Sequence, residues 1–150
     1  MDRRKRHGAM TLGLAALAIA LAASSAFRLS PILGAVYMGL AALSIPAILL
    51  AYCAKCPDRD DCGHVLPGRA ASALRKRKTG PYSKPDLAVT AAALFILFAL
   101  PQAWLWKKPA DALVFLAAMV MAAWDVRLWV CKDCGNRHCP GNRLYKKGKK

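Results

Sequence analysis

The sequence predicts an all-α integral membrane protein: four transmembrane helices arranged as two antiparallel hairpins in a parallel internal repeat, with cysteine-rich cytoplasmic loops. Three observations carry this prediction. Of 150 residues 57% are apolar, yet 23 Lys and Arg against 8 acids give a net charge of +15. The two properties are segregated: charge sits in blocks, and between the blocks run apolar stretches of about twenty residues, enough to span a ~30 Å hydrocarbon core. The six cysteines form two triads, Cys53/Cys56/Cys62 and Cys131/Cys134/Cys139, which repeat at offsets of 78, 78 and 77 residues. Such segregation excludes an ordinary soluble domain, a disordered chain and a free nucleic-acid binder.

Helix is the default for each apolar run, because lipid offers no partner to a loose backbone amide. The first run, 8–27, is uncharged. Arg3-Arg4-Lys5-Arg6 before it and Ala23-Ser24-Ser25-Ala26 at its end also fit a secretory signal. The run exceeds the usual 7–15 apolar residues of such a signal, which favours a retained helix. The second run is 31–53, with Pro31 suited to the first helical turn and Ser30 to the cap. The third is 86–106, capped by Asp86, and the fourth 109–130, opened by Pro109. Pro46 and Pro101 fall inside runs and should kink or shorten them. Trp104, Trp106, Trp129 and Tyr52 cluster near run ends, as in an aromatic belt.

Basic residues orient the chain. With a cytoplasmic N-terminus, 20 of the 23 fall on that side, in the N-terminal block, the middle loop and the tail; Arg28, Lys107 and Lys108 fall on the other. That asymmetry puts both termini and all six cysteines in the cytoplasm of a multi-pass inner or plasma membrane protein. Beside membrane helices, Arg75-Lys76-Arg77-Lys78 and the Lys146–Lys150 tail fix topology and attract anionic headgroups, rather than nucleic acid. Residues 70–78 read as a helix lying on those headgroups, at nine residues a short one for that role.

The offsets divide the chain into 1–79 and 80–150, each a hairpin followed by a cysteine triad and a basic stretch. Cys53-Ala54-Lys55-Cys56 and Cys131-Lys132-Asp133-Cys134 are both C-x-x-C, a spacing that turns two thiolates toward one ion. A disulfide framework conflicts with a reducing compartment, and buried structural thiols would sit inside the apolar runs. All six cysteines are therefore expected to bind metal, with His64 completing the first triad as Cys₃His, or with ligands shared between the triads. The Cys134-Gly135 turn resembles a zinc or rubredoxin knuckle, and Cys56-Pro57 and Cys139-Pro140 resemble the Cys-Pro pairs of ferredoxin loops. The first expectation is an iron–sulfur centre passing electrons to a quinone or a redox partner subunit. Zinc in a non-enzymatic scaffold or assembly factor is the alternative. A thiol–disulfide oxidoreductase comes third, since four-helix disulfide-forming membrane enzymes share the helix count but face their cysteines to the oxidising side.

Asp125 near the end of the fourth run reads either as snorkelling to the interface with Arg127 or as a proton acceptor beside a quinone. Asp58, Asp60 and Asp61 read as partners for nearby basic residues. All eight acids are Asp, which argues against the Glu-rich sites of di-iron bundles. Phosphate-loop, Ser-His-Asp and H-E-x-x-H patterns are absent from the sequence.

Overall fold

A computed structural model describes residues 2–74, 78–132, 134–136, 138 and 139. Among these residues there is helix and no strand. Helix α1 is Arg3–Leu29 and α2 is Pro31–Ala51, followed by a 3₁₀ turn, Cys53–Lys55. A short helix α3, Val65–Ala73, precedes α4, Lys84–Leu94, which widens into a π-turn, Phe95–Ala99, before α5, Gln102–Leu105. Helix α6, Pro109–Asp125, ends in a second π-turn, Val126–Val130. Four stretches are long and apolar enough to cross a membrane: Arg3–Leu29, Pro31–Lys55, Lys84–Leu105 and Pro109–Val130.

Helix α1 starts at Arg3 rather than at residue 8, so the basic block is helical. Lys and Arg are good helix formers, and Asp58 and Asp61 bind Arg4 and Lys5 along this turn. Ser30, the one residue between α1 and α2, caps α2 by accepting from the Leu33 amide at 3.5 Å. Ser83, not Asp86, caps α4. Asp86 is the third helical residue and returns a bond to the Ser83 amide at 3.0 Å, a reciprocal capping box. The short surface helix begins at Val65, five residues before the expected start, because Pro67 fits a first turn that needs no N–H. Residues 75–77 of its expected span lie outside the described residues.

Helix α1 packs against α2 and α6, and α2 packs against α4. Ala18, Ala22 and Ala26 of α1 are fully buried against Tyr37, Trp104, Leu105, Ala112 and Phe115. Small side chains suit this core, since lipid is as apolar as leucine and helices associate through close packing and interhelical hydrogen bonds. Large apolar side chains such as Ile32, Leu43, Leu113 and Val120 stay exposed on the spans, as a lipid-facing surface requires.

The break at Pro101 has a specific remedy. Proline has no N–H for the carbonyl four residues back, which is Leu97. The Tyr37 hydroxyl, from α2, donates to that carbonyl at 3.0 Å. The preceding turn widens so that the Leu100 amide reaches Phe95 O at 2.9 Å. The Trp104 indole donates to Ala22 O of α1 at 3.1 Å. Trp104 is thus a core residue rather than part of an aromatic belt, and Trp106 and Trp124 are the exposed indoles near span ends. Tyr37→Phe and Trp104→Phe should each lower stability by about 1 kcal/mol in mixed-micelle unfolding, the scale of an interhelical hydrogen bond in a membrane protein. Leu43→Ala, on the lipid-facing surface, should change it by less than half as much.

Candidate metal centre at one end of the bundle

Hydrogen bonds gather the start of α1, the ends of α2 and α6 and the start of α4 at one end of the bundle. His7 of α1 meets Asp125 of α6 at 2.7 Å, and Lys55 after α2 pairs with Asp86 of α4. All six cysteines lie at this end, as half-buried free thiols.

In each C-x-x-C pair the second cysteine folds back on the first, directly after a span. The Cys56 amide donates to Cys53 O at 3.1 Å, and the Cys134 amide donates to Cys131 O at 3.4 Å. The second π-turn closes with the Cys131 amide on Val126 O at 2.7 Å, which sets the direction in which the second turn leaves the helix. The sulfurs of Cys56, Cys62 and Cys134 each accept a backbone N–H from two residues on, from Asp58, His64 and Asn136. Such bonds favour the thiolate over the thiol.

The two turns also grip each other. The Asn136 side chain, 1% exposed, donates to Cys56 Sγ at 3.3 Å and to the Tyr82 hydroxyl at 2.9 Å. In the opposite direction Asp58 accepts from the Gly135 amide at 3.1 Å and from the Cys134 thiol. Asp58 and Asn136 stand at equivalent positions, each two residues after the second cysteine of its turn. Tyr52 is 2.7 Å from Cys139 Sγ and stacks on Tyr82 with centroids 4.5 Å apart. Tyr52 therefore faces the cysteines and not a headgroup layer.

Electrostatic coupling follows the same map. Cys53 acts on Cys62 and Cys56, Cys131 on Cys139 and Cys62, and Cys134 on Cys56. Among the described residues, no three His, Cys, Asp or Glu side chains converge as the ligands of a single ion. Burial raises Cys56, Cys62 and Cys131 above the ordinary thiol range and pushes Cys134 up to about 12. For Cys62 and Cys131, the Arg4 charge pulls the other way.

Helix α1 supplies what the sequence reading left out. Arg4 binds Asp58 at 2.9 Å and Asp61 at 3.7 Å. A β-carbon on Gly8 would collide with the Gly63 carbonyl, and one on Gly63 with the side chains of Val130 and Arg4, so the Cys62 loop sits closely on the helix. His64 donates Nδ1–H to Gly8 O at 3.1 Å, and burial, with Arg4 nearby, lowers its affinity for a proton. Asp125, 6% exposed, does not snorkel; it turns inward to His7 and to Thr11, whose hydroxyl donates at 3.1 Å. Trp129 stacks on the His7 ring and Arg3 lies over Trp129. The available signal was the i, i+4 pair His7 and Thr11 at the start of an apolar run, with one acid, Asp125, late in another. Asp60 accepts from Ser72 at 2.6 Å.

An open groove of about 400 Å³ between α2 and α4 has apolar walls, Ala47, Leu50 and Val89, and a polar end made by Lys55, Ser83 and Asp86. Pro140 and the Lys146–Lys150 tail lie outside the described residues. Comparison with protein-family models, curated proteins and solved structures finds no match. In metal-free protein at pH 8, Cys134 should react with iodoacetamide at least about tenfold more slowly than an exposed thiol, and the rate should keep rising beyond pH 10. Mass-spectrometric mapping of the labelled peptide measures it.

Proposed function

We propose that this chain is an integral membrane metal protein that holds an iron–sulfur centre on its cysteines and passes electrons to a membrane quinone or a partner subunit. The observation that carries the reading is the meeting of two equivalent C-x-x-C turns, with backbone N–H groups aimed at Cys56, Cys62 and Cys134. Sulfurs on one zinc stand about 3.8 Å apart at Zn–S bonds of ~2.3 Å. Thiolates offered from two facing turns suit an iron–sulfur cluster. Such a centre supplies one-electron chemistry, at a potential set by charge, burial and N–H···S bonds. In this reading the chain is two hairpins in a parallel repeat, and the cysteine end faces the cytoplasm, where thiols stay reduced. Anionic headgroups meet the basic stretches there. The α2–α4 groove, open on the apolar surface, is where a quinone headgroup would meet Lys55, Ser83 and Asp86.

One observation favours the second reading, a zinc-stabilised scaffold. With Nδ1–H given to Gly8 O, His64 keeps Nε2 free to complete Cys53, Cys56 and Cys62 as a Cys₃His site.

Anaerobic purification from membranes, followed by metal analysis and an absorption spectrum, separates the readings. Brown protein with iron and acid-labile sulfide is the expected result. Colourless protein with stoichiometric zinc selects the scaffold, and metal-free protein with a reversible disulfide selects the thiol–disulfide enzyme. Cys53→Ser should lower metal content and speed proteolysis of the loop at 57–64, which has no core of its own, whereas Lys107→Ala should change neither.

A further inference from the structure

Asp125 is an acid inside the fourth span, and only 6% of it is exposed. Among the described residues no Lys or Arg pairs with it; His7 of α1 does, through Nδ1 at 2.7 Å. The Thr11 hydroxyl, one turn further along α1, reaches the other carboxylate oxygen at 3.1 Å and the His7 carbonyl at 2.8 Å. A carboxylate enclosed at this depth is costly unless a cation or a proton answers it. Thr11 answers with a hydrogen bond only. His7 can answer with a charge, taking one proton from water on Nε2 while Nδ1–H stays on Asp125. Its side chain is 24% exposed, so water reaches the ring, whereas Asp125 is closed off.

The groups around His7 fall on three elements. On α1, Arg4 is paired with Asp58 and Asp61, and Arg6 is exposed. From the second π-turn, Trp129 stacks on the imidazole with centroids 4.9 Å apart and offers a cation its negative face. Arg3 lies over the same indole, 3.9 Å from its centroid, and works against a second positive charge there. Arg127 is exposed. From the Cys62 loop, His64 binds Gly8 O and is acted on by the Asp125 charge. Asp125 is thus the acid that His7 faces directly.

The position of this pair gives it reach. Gly8, the next residue, carries the Gly63–His64 segment, and Arg4, one turn earlier, binds Asp58. Whatever holds His7 down also holds the seat of residues 58–64.

We propose that His7 and Asp125 form a proton-binding site between α1 and α6, and that the bound proton latches the first two turns of α1, with residues 58–64, onto the bundle. With the proton the site is an ion pair. Without it, Asp125 keeps its charge and loses its cation, and the contact falls to a hydrogen bond from a neutral ring. The latched form holds one proton more than the released form. Latching therefore strengthens as pH falls and weakens as pH rises, by at most about tenfold per pH unit for one proton. The site is independent of whatever the cysteines hold.

The test uses the full chain in detergent across about pH 5 to 8, the range in which histidine changes charge. NMR of labelled histidine, with the His7 signal assigned by its loss in His7→Gln, reads the proton on the ring. Amide hydrogen exchange at 58–64, corrected for its intrinsic pH dependence, reads the latch. Protection should fall about tenfold or more as pH rises, in step with loss of the His7 proton. His7→Gln keeps a donor for Asp125 but no titrating charge, and Asp125→Asn removes the charge that the proton answers. In either variant the step should shrink to about twofold or less. Protection in the wild type that ignores pH overturns the proposal. A step that persists in His7→Gln also overturns it, and passes the titration to another group, His64 first. If neither variant keeps its helix content, the wild-type comparison decides: protection that moves out of step with the His7 proton overturns the latch.

Discussion

Asp58 and Asn136 each stand two residues beyond the second cysteine of a C-x-x-C turn, and each reaches the opposite turn. Both stretches, 57–64 and 131–139, are mostly polar in sequence. Their order rests on this exchange, in which Asp58 takes the Gly135 amide and Asn136 gives to Cys56 and Tyr82. The bundle below makes the exchange possible by bringing the ends of α2 and α6 to one level. The start of α1 then fixes the pair from outside, because Arg4 binds the same Asp58 that holds Gly135.

In lipid a backbone polar group needs its partner within the protein. Pro101 breaks that rule locally and Tyr37 mends it from the neighbouring helix. A residue on α2 thereby becomes specific to a proline on another helix, which ties α2 to α4 more narrowly than alanine packing does. Trp104 ties α5 to α1 in the same way. Two directed bonds and a stripe of buried alanines define the core where hydrophobicity alone does not discriminate.

The four apolar spans were legible in the sequence because their length and charge are set by the membrane and not by any partner. The caps at Ser30 and the break at Pro101 were legible for the same reason: each follows from local backbone chemistry. The cap of α4 was misread by three residues because Ser83 and Asp86 are both good caps, and reciprocity between them decides. The C-x-x-C spacing of the cysteines could be read, but not the exchange between the turns. Asp58 and Asn136 look like ordinary loop residues until the two halves are superposed by their 78-residue offset. His7, Thr11 and Asp125 were illegible as a group, since a contact between positions 7 and 125 leaves no periodic trace.

Four of the acids define how the cysteine end is charged. Asp58 pairs with Arg4, Asp61 with Lys5, Asp86 with Lys55, and Asp125 with His7. Each pairing joins segments far apart in sequence, and three of the four bind the first turns of α1. Asp is the shortest acid and reaches a partner only when two backbones come close, which the Gly8–Gly63 contact permits on this side of the bundle. Helix α1 is therefore packed into this fold along its length. It carries the alanine core at one level and, in its first turn, the cationic partners of Asp58 and Asp61. Removing it would unpair Asp58, Asp61 and Asp125 together and unseat the Cys62 loop. The first apolar run belongs to the site as much as to the membrane.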